Sequence, residues 1–322
     1  MDPALALGGL VVGFVVGLTG MGGGALMTPM LLFFFHVNPL AAVSSDLVTS
    51  AIMKPFGSAV HIRNGTVNWA LARYLAIGSV PCAFAGVFVL RAFGGTGGSL
   101  DSAVKTALGV ALLLASASLI IKAYITLQAR VTRRAAGLST DATCGAPQIV
   151  VRPLPTILIG MVGGLVVGMT SVGSGSLIII ALLLVYPKLQ ASQLVGTDLV
   201  QAVPLVAAAA VGHLLFGDFQ LSVTTSLLIG SIPGVLIGAQ FSARAPGGII
   251  RRALSLVLLA SGLKLVGAGT GLVVACIGGF LILGPLVWMA VRRQHGLTAL
   301  AHRDRPDVAR DQSRDAVDTT AG

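Results

Sequence analysis

Residues 13–24 read GFVVGLTGMGGG and residues 164–175 read GLVVGMTSVGSG. Each stretch leads from one apolar segment through a cluster of small residues into a second apolar segment. The two complete segments, at 4–35 and 155–186, exceed the roughly 20 residues with which a helix crosses a bilayer. Glycine disfavours a helix interior, so each segment is predicted to be two shorter helices joined by irregular backbone.

The two stretches belong to an internal repeat. Residues 13–19 match residues 164–170 at an offset of 151, and a one-residue insertion then raises the offset to 152. At that offset Asp46 matches Asp198, His61 matches His213, and the Gly-Ser-Val-Pro that ends at Pro81 matches Gly-Ser-Ile-Pro. Chance similarity between apolar helices would match Leu and Val rather than Asp, His and Pro, so the halves are copies of each other.

The composition identifies a polytopic membrane protein. Of 322 residues, 55% are hydrophobic and 10% are charged, whereas a soluble domain has about 25% charged residues. A soluble globule and a disordered chain are excluded, and 3 cysteines are too few for a disulfide-stabilised secreted scaffold. Seven further apolar segments have about the length of a membrane span: 41–62, 69–92, 103–127, 191–216, 221–242, 250–268 and 271–291.

These segments predict five regions. They are a first transmembrane repeat at 1–127, a basic cytoplasmic linker at 128–154, a second repeat at 155–270, a final transmembrane helix at 271–293 and a disordered tail at 294–322. The N-terminus has Asp2 and no basic n-region, so no cleaved signal peptide is expected.

The basic residues indicate a topology rather than a nucleic-acid partner. The chain has 21 Lys and Arg against 11 acids, all of them Asp. The basic residues lie mainly in short loops, as the positive-inside rule requires, and no aromatic residues alternate with them as a nucleic-acid surface needs.

An inverted repeat fits these charges best. If all nine segments crossed once, the linker and the later Arg residues would lie on opposite sides. If 4–35 and 155–186 are re-entrant hairpins, one side holds most of the basic residues. The predicted fold is therefore an all-α integral membrane protein of two inverted repeats, each a glycine-broken hairpin plus three transmembrane helices, with one extra C-terminal helix. The N-terminus is expected outside and the C-terminus inside the plasma membrane. The residues predicted on the inner side are Arg63, Arg73, Arg130, Arg133, Arg134, Arg152, Lys188, Arg244, Arg251 and Arg252.

The glycine breaks are candidate anion sites. Irregular backbone at membrane depth is tolerated only where it is buried in protein or lines a cavity, and helix N-termini bind anions through free amides. The alternative is that glycine and serine only allow close helix packing, which is the favoured interpretation for Gly13 and Gly17. The predicted substrate-binding residues of the breaks are Thr19, Gly20, Gly22, Gly23, Gly24, Thr170, Ser171, Gly173, Ser174, Gly175 and Ser176.

Asp46 and Asp198 are candidate coupling or gating residues. Ionisable groups within membrane spans are costly and usually functional, and a carboxylate could bind a proton or a cation. The alternative is a helix N-cap in interfacial water. Thr49 and Gln201 lie one turn along the same helices and are expected to line the same cavity.

Lys54 is predicted to supply a positive charge to an anionic substrate. It lies in the middle of a span, has no counterpart because Val206 takes its place, and precedes Pro55. Snorkelling of the side chain to the interface is the alternative. Asp46 lies about 12 Å away along the helix axis, so direct pairing is not expected.

No residue set indicates a metal, a cofactor or an enzyme. His61 and His213 lack other ligands at metal-binding spacing, and a structural role is the favoured interpretation of both. No Ser-His-Asp or Cys-His set is recognisable in the sequence.

These motifs resemble those of the TauE/SafE family, the sulfite exporter and organosulfonate transporter-like membrane proteins, over roughly residues 5–268. The resemblance rests on the two glycine-rich breaks, the Asp-Leu pairs that follow them and the Gly-Ser-Val/Ile-Pro pair. It implies permeation of small sulfur-containing anions such as sulfite or sulfoacetate. Ser171 and Ser174 replace Gly20 and Gly23 in the second copy, which is expected to make the second break less open.

The sequence therefore predicts a secondary transporter that exports small sulfur-containing anions, with possible proton coupling and no enzymatic activity. The anion is expected to lie between two opposed helix N-termini, one at each break. A channel-like anion facilitator, or uptake of another small anion by proton coupling, is the alternative. A membrane scaffold or sensor that binds a partner through the linker and tail is a further one.

Overall fold

The computed structural model describes residues 2–19, 23–63, 65–94, 98–135, 150–187, 189, 191–241 and 247–294. These residues form eleven α-helices, because a chain in lipid must satisfy its backbone hydrogen bonds within each segment. The helices are α1 Pro3–Thr19, α2 Gly24–Phe34, α3 Pro39–Arg63, α4 Trp69–Gly94, α5 Gly98–Ala135, α6 Pro153–Thr170, α7 Leu177–Val185, α8 Ala191–Phe216, α9 Leu221–Phe241, α10 Gly247–Leu265 and α11 Thr270–Gln294.

The prediction of an all-helical membrane protein is confirmed for the described part of the chain. Five helical stretches are long and apolar enough to cross a bilayer: Trp69–Ala92, Gly98–Ile125, Pro153–Thr170, Gln193–Phe216 and Leu221–Gly238. Large apolar side chains point outward, among them Phe34 and Leu184, which are 77% and 71% exposed. Such side chains suit a surface in contact with lipid.

The described residues form two compact units. The first contains 2–125 and 150–273, and the second contains 126–135 and 274–294. The helix α5 continues to Ala135, so the first residues of the predicted linker are helical. All the site residues discussed below lie in the first unit.

Both long apolar segments are broken and reverse direction at the break. In the first, a Cβ added at Gly8 in α1 would meet Met30, in the second half of α2, and Phe35, just after the end of α2. In the second, the Tyr186 hydroxyl accepts a hydrogen bond from the Arg152 amide at 2.8 Å. The end of α7 therefore returns to the start of α6, and each segment is a helical hairpin.

Glycines hold the two halves together at short interhelical distances. Gly160, Gly164 and Gly168 of α6 pack directly on Leu75, Ser79 and Ala83 of α4. Gly9 and Gly13 of α1 pack on Leu227 and Ser231 of α9. Residue numbers rise together in both pairs, so α4 runs parallel to α6 and α1 runs parallel to α9. Gly13 therefore allows close helix packing, which is the interpretation that the sequence favours for it.

The equivalent helices α3 and α8 are antiparallel. Ser44, near the start of α3, lies 2.9 Å from Nδ1 of His213, near the end of α8. At the other end, the Asn68 amide donates to Thr197 Oγ1 at 2.9 Å. His213 Nε2 also lies 2.7 Å from the Gly168 carbonyl, so His213 connects α8 to both α3 and α6, in agreement with the structural role favoured above.

Candidate functional site between the two broken helices

The two breaks lie against each other. A side chain at Gly24, the first residue of α2, would overlap the carbonyl and hydroxyl of Ser171 in the second break. A Cβ at Gly23 would lie 3.6 Å from Ser50 Oγ and 3.8 Å from Asp46 Oδ1. The fold therefore brings both breaks and the polar face of α3 to one place. Gly20 and Gly22 lie outside the described residues.

Unusual backbone shapes the second break. Ser171 has φ +59° and Gly173 has φ +120°, and the latter conformation is one that glycine adopts readily. The first hydrogen bonds of α7 are those from the Ser176 and Leu177 amides to the Gly173 carbonyl, at 3.3 and 3.0 Å. The amides of residues 173–175 therefore precede the hydrogen-bonded turns of α7, where free donors collect at a helix N-terminus.

Lys54 reaches this second break from the middle of α3. Its side chain is buried, with 8% exposure, and Nζ donates to Ser174 Oγ at 2.7 Å. The Lys54 ammonium therefore points into the protein rather than snorkelling to an interface. The ammonium also lies near the N-terminus of α7, which carries a partial positive charge. Two positive charges at one site repel each other, whereas an anion bound there would be stabilised by the ammonium and by the helix N-terminus.

Asp46 is fully buried and well bonded. Thr28 of α2 donates to Oδ2 at 2.7 Å and Ser50 donates to Oδ1 at 3.4 Å. Asp46 therefore joins α2 to α3. Burial with hydrogen bonds from a neighbouring helix does not match the alternative of an N-cap in interfacial water.

Asp198 has a different environment although it is the repeat equivalent of Asp46. It is 2% exposed, and its Oδ1 has no hydrogen-bond partner among the described residues. Lys54 and Lys122 are the charged groups that act on it. Of the two carboxylates, Asp198 interacts more strongly with Lys54.

Gln201 extends the buried polar cluster along α8. Its Nε2 donates to Ser79 Oγ of α4 at 2.6 Å, while Oε1 lacks a partner in the described part of the chain. The Ser171 hydroxyl is likewise buried near Asp46 without a partner of hydrogen-bonding geometry. Buried polar atoms are normally satisfied, so the unpaired atoms of Asp198, Gln201 and Ser171 suit a ligand.

The remaining predicted residues have local roles. The hydroxyls of Thr19 and Thr170 donate to the carbonyls of Val15 and Val166, four residues earlier in α1 and α6, at 2.8 and 2.6 Å. Thr49 bonds in the same way to Ser45, at 2.8 Å. Ser176 and Gly175 lie in the turn before α7, and the Ser176 carbonyl accepts from Ser118 at 3.1 Å.

Sequence reasoning missed the partners of these residues. Ser50 lies one helical turn after Asp46, so i, i+4 spacing could have identified it. Thr28 and Ser79 come from other helices, and no sequence pattern linked them to the site. The sequence also did not predict that Lys54 would reach the second break rather than the first.

Comparisons with known proteins match the chain to one family and to named relatives. The sequence profile "Sulfite exporter TauE/SafE" matches residues 5–265. The probable membrane transporter protein YjnA of Bacillus subtilis (strain 168) is 41% identical over 266 residues, which are 83% of this chain and 100% of the relative. From the same organism, the probable membrane transporter protein YdhB is 24% identical, with 80% of this chain and 96% of the relative covered. No solved structure matches the chain. The chain belongs to the sulfite exporter TauE/SafE family of membrane transporters.

Proposed function

We propose that this protein is a secondary transporter of small sulfur-containing anions, such as sulfite, sulfoacetate or related organosulfonates, in the plasma membrane. The buried Lys54 ammonium at the second break is the observation that carries the proposal. A buried ammonium is costly unless it is paired, and its hydrogen-bond partner among the described residues is the neutral Ser174 hydroxyl. A small anion would place a negative charge directly beside the ammonium.

The second break supplies hydrogen-bond donors for such an anion. The amides of residues 173–175 and the unpaired Ser171 hydroxyl are hydrogen-bond donors of the break that Lys54 reaches through Ser174. Oxyanions bind well to helix N-termini because free amides and the helix dipole act together. The first break, at Gly23 and Gly24, closes on Ser171 from the opposite side and would complete the enclosure.

The contact pattern supports inverted repeats as part of this proposal. In these contacts α1 runs parallel to α9, α4 runs parallel to α6, and α3 runs antiparallel to α8. A two-fold axis that relates the two halves and lies perpendicular to the helices would produce these relative directions. Inverted repeats whose broken helices meet near the midplane are common in secondary transporters. In the proposed orientation the N-terminus is outside and the C-terminus is cytoplasmic.

The direction of transport depends on whether a proton accompanies the anion. An anion carried alone moves outward downhill in an inside-negative cell, by about 2.3 kcal/mol per charge per 100 mV. Export is therefore the expected direction for uncoupled movement, and uptake would require a cotransported cation. Asp46 and Asp198 are the candidate coupling or gating groups, with Thr49 and Gln201 one turn away.

Anion flux in proteoliposomes tests the proposal. Sulfite, thiosulfate, methanesulfonate and sulfate are offered in turn to the purified full-length protein. Saturable flux of a sulfur-containing anion, with counterflow of the labelled anion, is expected. Absence of flux for all four, from protein shown to be folded, would contradict the sulfur-anion assignment. Flux without saturation or counterflow would favour the channel-like alternative.

A further inference from the structure

We propose that Asp198 binds a proton when the anion binds beside Lys54, and that Asp46 acts only as a structural clamp between α2 and α3. This assignment rests on the proposed transport function and deepens it by naming the coupled ion and its site. The repeat places both carboxylates at equivalent positions, but their environments differ.

The residues that satisfy Asp46 are missing around Asp198. Ser50 of the first half becomes Ala202 in the second, and Thr28 aligns with Ile179 or Ile180. Both hydroxyl donors are therefore replaced by apolar side chains. Asp46 keeps two hydrogen bonds to its oxygens, whereas Asp198 keeps an unpaired, buried oxygen. Of the two carboxylates, Asp198 is therefore the one with an oxygen that no described group binds.

The charges around Asp198 make its protonation depend on the anion. Lys54 on α3 and Lys122 on α5 are the charged groups that face it. No titratable side chain described on α4, α6 or α7, which also pack against α8, acts on it. In the empty site the ionised carboxylate compensates the Lys54 charge.

An anion that binds to Lys54 creates a conflict of like charges. The anion and the Asp198 carboxylate would then share one ammonium in a buried site, where two negative charges repel strongly. A proton from the aqueous side from which the anion enters converts the carboxylate to a neutral carboxyl. The proton leaves when the anion leaves, so each monovalent anion moves together with one proton.

This coupling changes what drives transport. One anion and one proton carry no net charge, so the membrane potential does not act on the step. Net direction then follows the gradients of the anion and the proton, and a medium more acidic than the cytosol favours uptake.

The experiment measures proton movement with methanesulfonate, whose acid group stays ionised at any pH used. Proteoliposomes contain a pH-sensitive dye, and a potassium gradient with valinomycin sets the potential. Wild type, Asp198→Asn, Asp46→Asn and, as a matched control, Asp218→Asn at an exposed loop position are compared. Sulfite is the second anion.

We expect one proton per methanesulfonate in the wild type, Asp46→Asn and Asp218→Asn, and none in Asp198→Asn. An imposed potential of 100 mV should change anion accumulation about 50-fold in Asp198→Asn and leave the wild type unchanged. Proton movement that persists in Asp198→Asn, or is lost in Asp46→Asn, would overturn the proposal.

A binding measurement covers the case in which Asp198→Asn does not transport. Proton uptake on methanesulfonate binding is then measured in weakly buffered detergent solution. Uptake of about one proton by the wild type and none by the variant supports the proposal, and equal uptake or absence of wild-type uptake overturns it. Saturable wild-type flux without proton movement would refute this assignment alone, whereas absence of wild-type flux with all the anions would refute the transport function.

Discussion

At the scale of single residues, hydrogen bonds distinguish side chains that hold the fold from those that remain available. Thr28 and Ser50 satisfy Asp46, whereas Asp198, Gln201 and Ser171 each retain an unpaired buried atom. These three residues belong to the half whose break Lys54 reaches, whereas the first half has the Ser45 hydroxyl as its unpaired buried atom among the described residues. The second break is therefore the better substrate site, although the two halves are copies.

The clamp at Asp46 predicts a loss of stability in Thr28→Val. Valine has nearly the shape of threonine but cannot donate to the buried carboxylate, so unfolding should become easier by about 1–3 kcal/mol. Thermal unfolding in detergent measures the change. Thr106→Val is the control, because Thr106 is exposed and donates a hydrogen bond to the Ser102 carbonyl in its own helix. Equal losses of stability in the two variants would contradict a clamping role of Asp46.

The sequence predicted the residue types of the site better than their roles. Lys54, Asp46 and Asp198 stand out because a charge within an apolar span needs an explanation. The difference between the two carboxylates depends on Thr28, which lies on another helix 18 residues away. Contacts between helices follow from packing rather than from spacing along the chain, so this part required the structure.

At the scale of helices, the glycine breaks are where two hairpins touch. Gly24 permits α2 to begin directly against the Ser171 backbone. The sequence predicted two broken segments, because glycine clusters interrupt apolar runs that are too long for one span. It also predicted that the helix N-termini at the two breaks oppose each other around the substrate, but not that Gly24 would lie directly against Ser171.

This contact predicts that Gly24→Ala is strongly disruptive. The added methyl group would overlap the Ser171 carbonyl, and overpacking of this kind typically costs about 1–3 kcal/mol or more. We expect a lower unfolding temperature and loss of anion flux. Gly57→Ala in α3 is the matched control, since no atom lies within 4 Å of the added methyl group; a fully active, stable Gly24→Ala would refute the close contact.

At the scale of the whole molecule, the proposed transporter requires two halves that are inverted relative to each other in the membrane. Equivalent loops of the two halves should then face opposite sides of the membrane. Arg63, at the end of α3, and Asp218, just after α8, are both exposed and suit this test. The positive-inside rule places Arg63 inside and Asp218 outside.

Cysteine labelling measures this topology. Arg63→Cys and Asp218→Cys are made separately in a chain in which Cys82, Cys144 and Cys276 are replaced by Ser. A membrane-impermeant maleimide added to intact cells should label only the Asp218→Cys variant, and Arg63→Cys should react only after the membrane is opened. Labelling of both positions from the same side would indicate parallel repeats.

The tail provides a second prediction for the whole chain. The family profile ends at residue 265, and residues 295–322 of the predicted tail lie outside the described residues. Deletion of 294–322 should leave anion flux in proteoliposomes within about twofold of the wild type, because no site residue lies there. Loss of flux from a correctly folded deletion variant would favour the scaffold or sensor interpretation.

Flux through Lys54→Met tests whether Lys54 holds the anion at the second break. Methionine keeps most of the side-chain volume and removes the charge, while Lys105→Met removes an equal charge from an exposed position on α5. Initial rates of sulfite and methanesulfonate flux are measured over a range of concentrations. We expect at least a 100-fold lower kcat/KM for Lys54→Met, because loss of a buried charge-paired contact costs about 3 kcal/mol. Lys105→Met should leave kcat/KM unchanged. Saturable flux at the wild-type rate in folded Lys54→Met would contradict this role of Lys54.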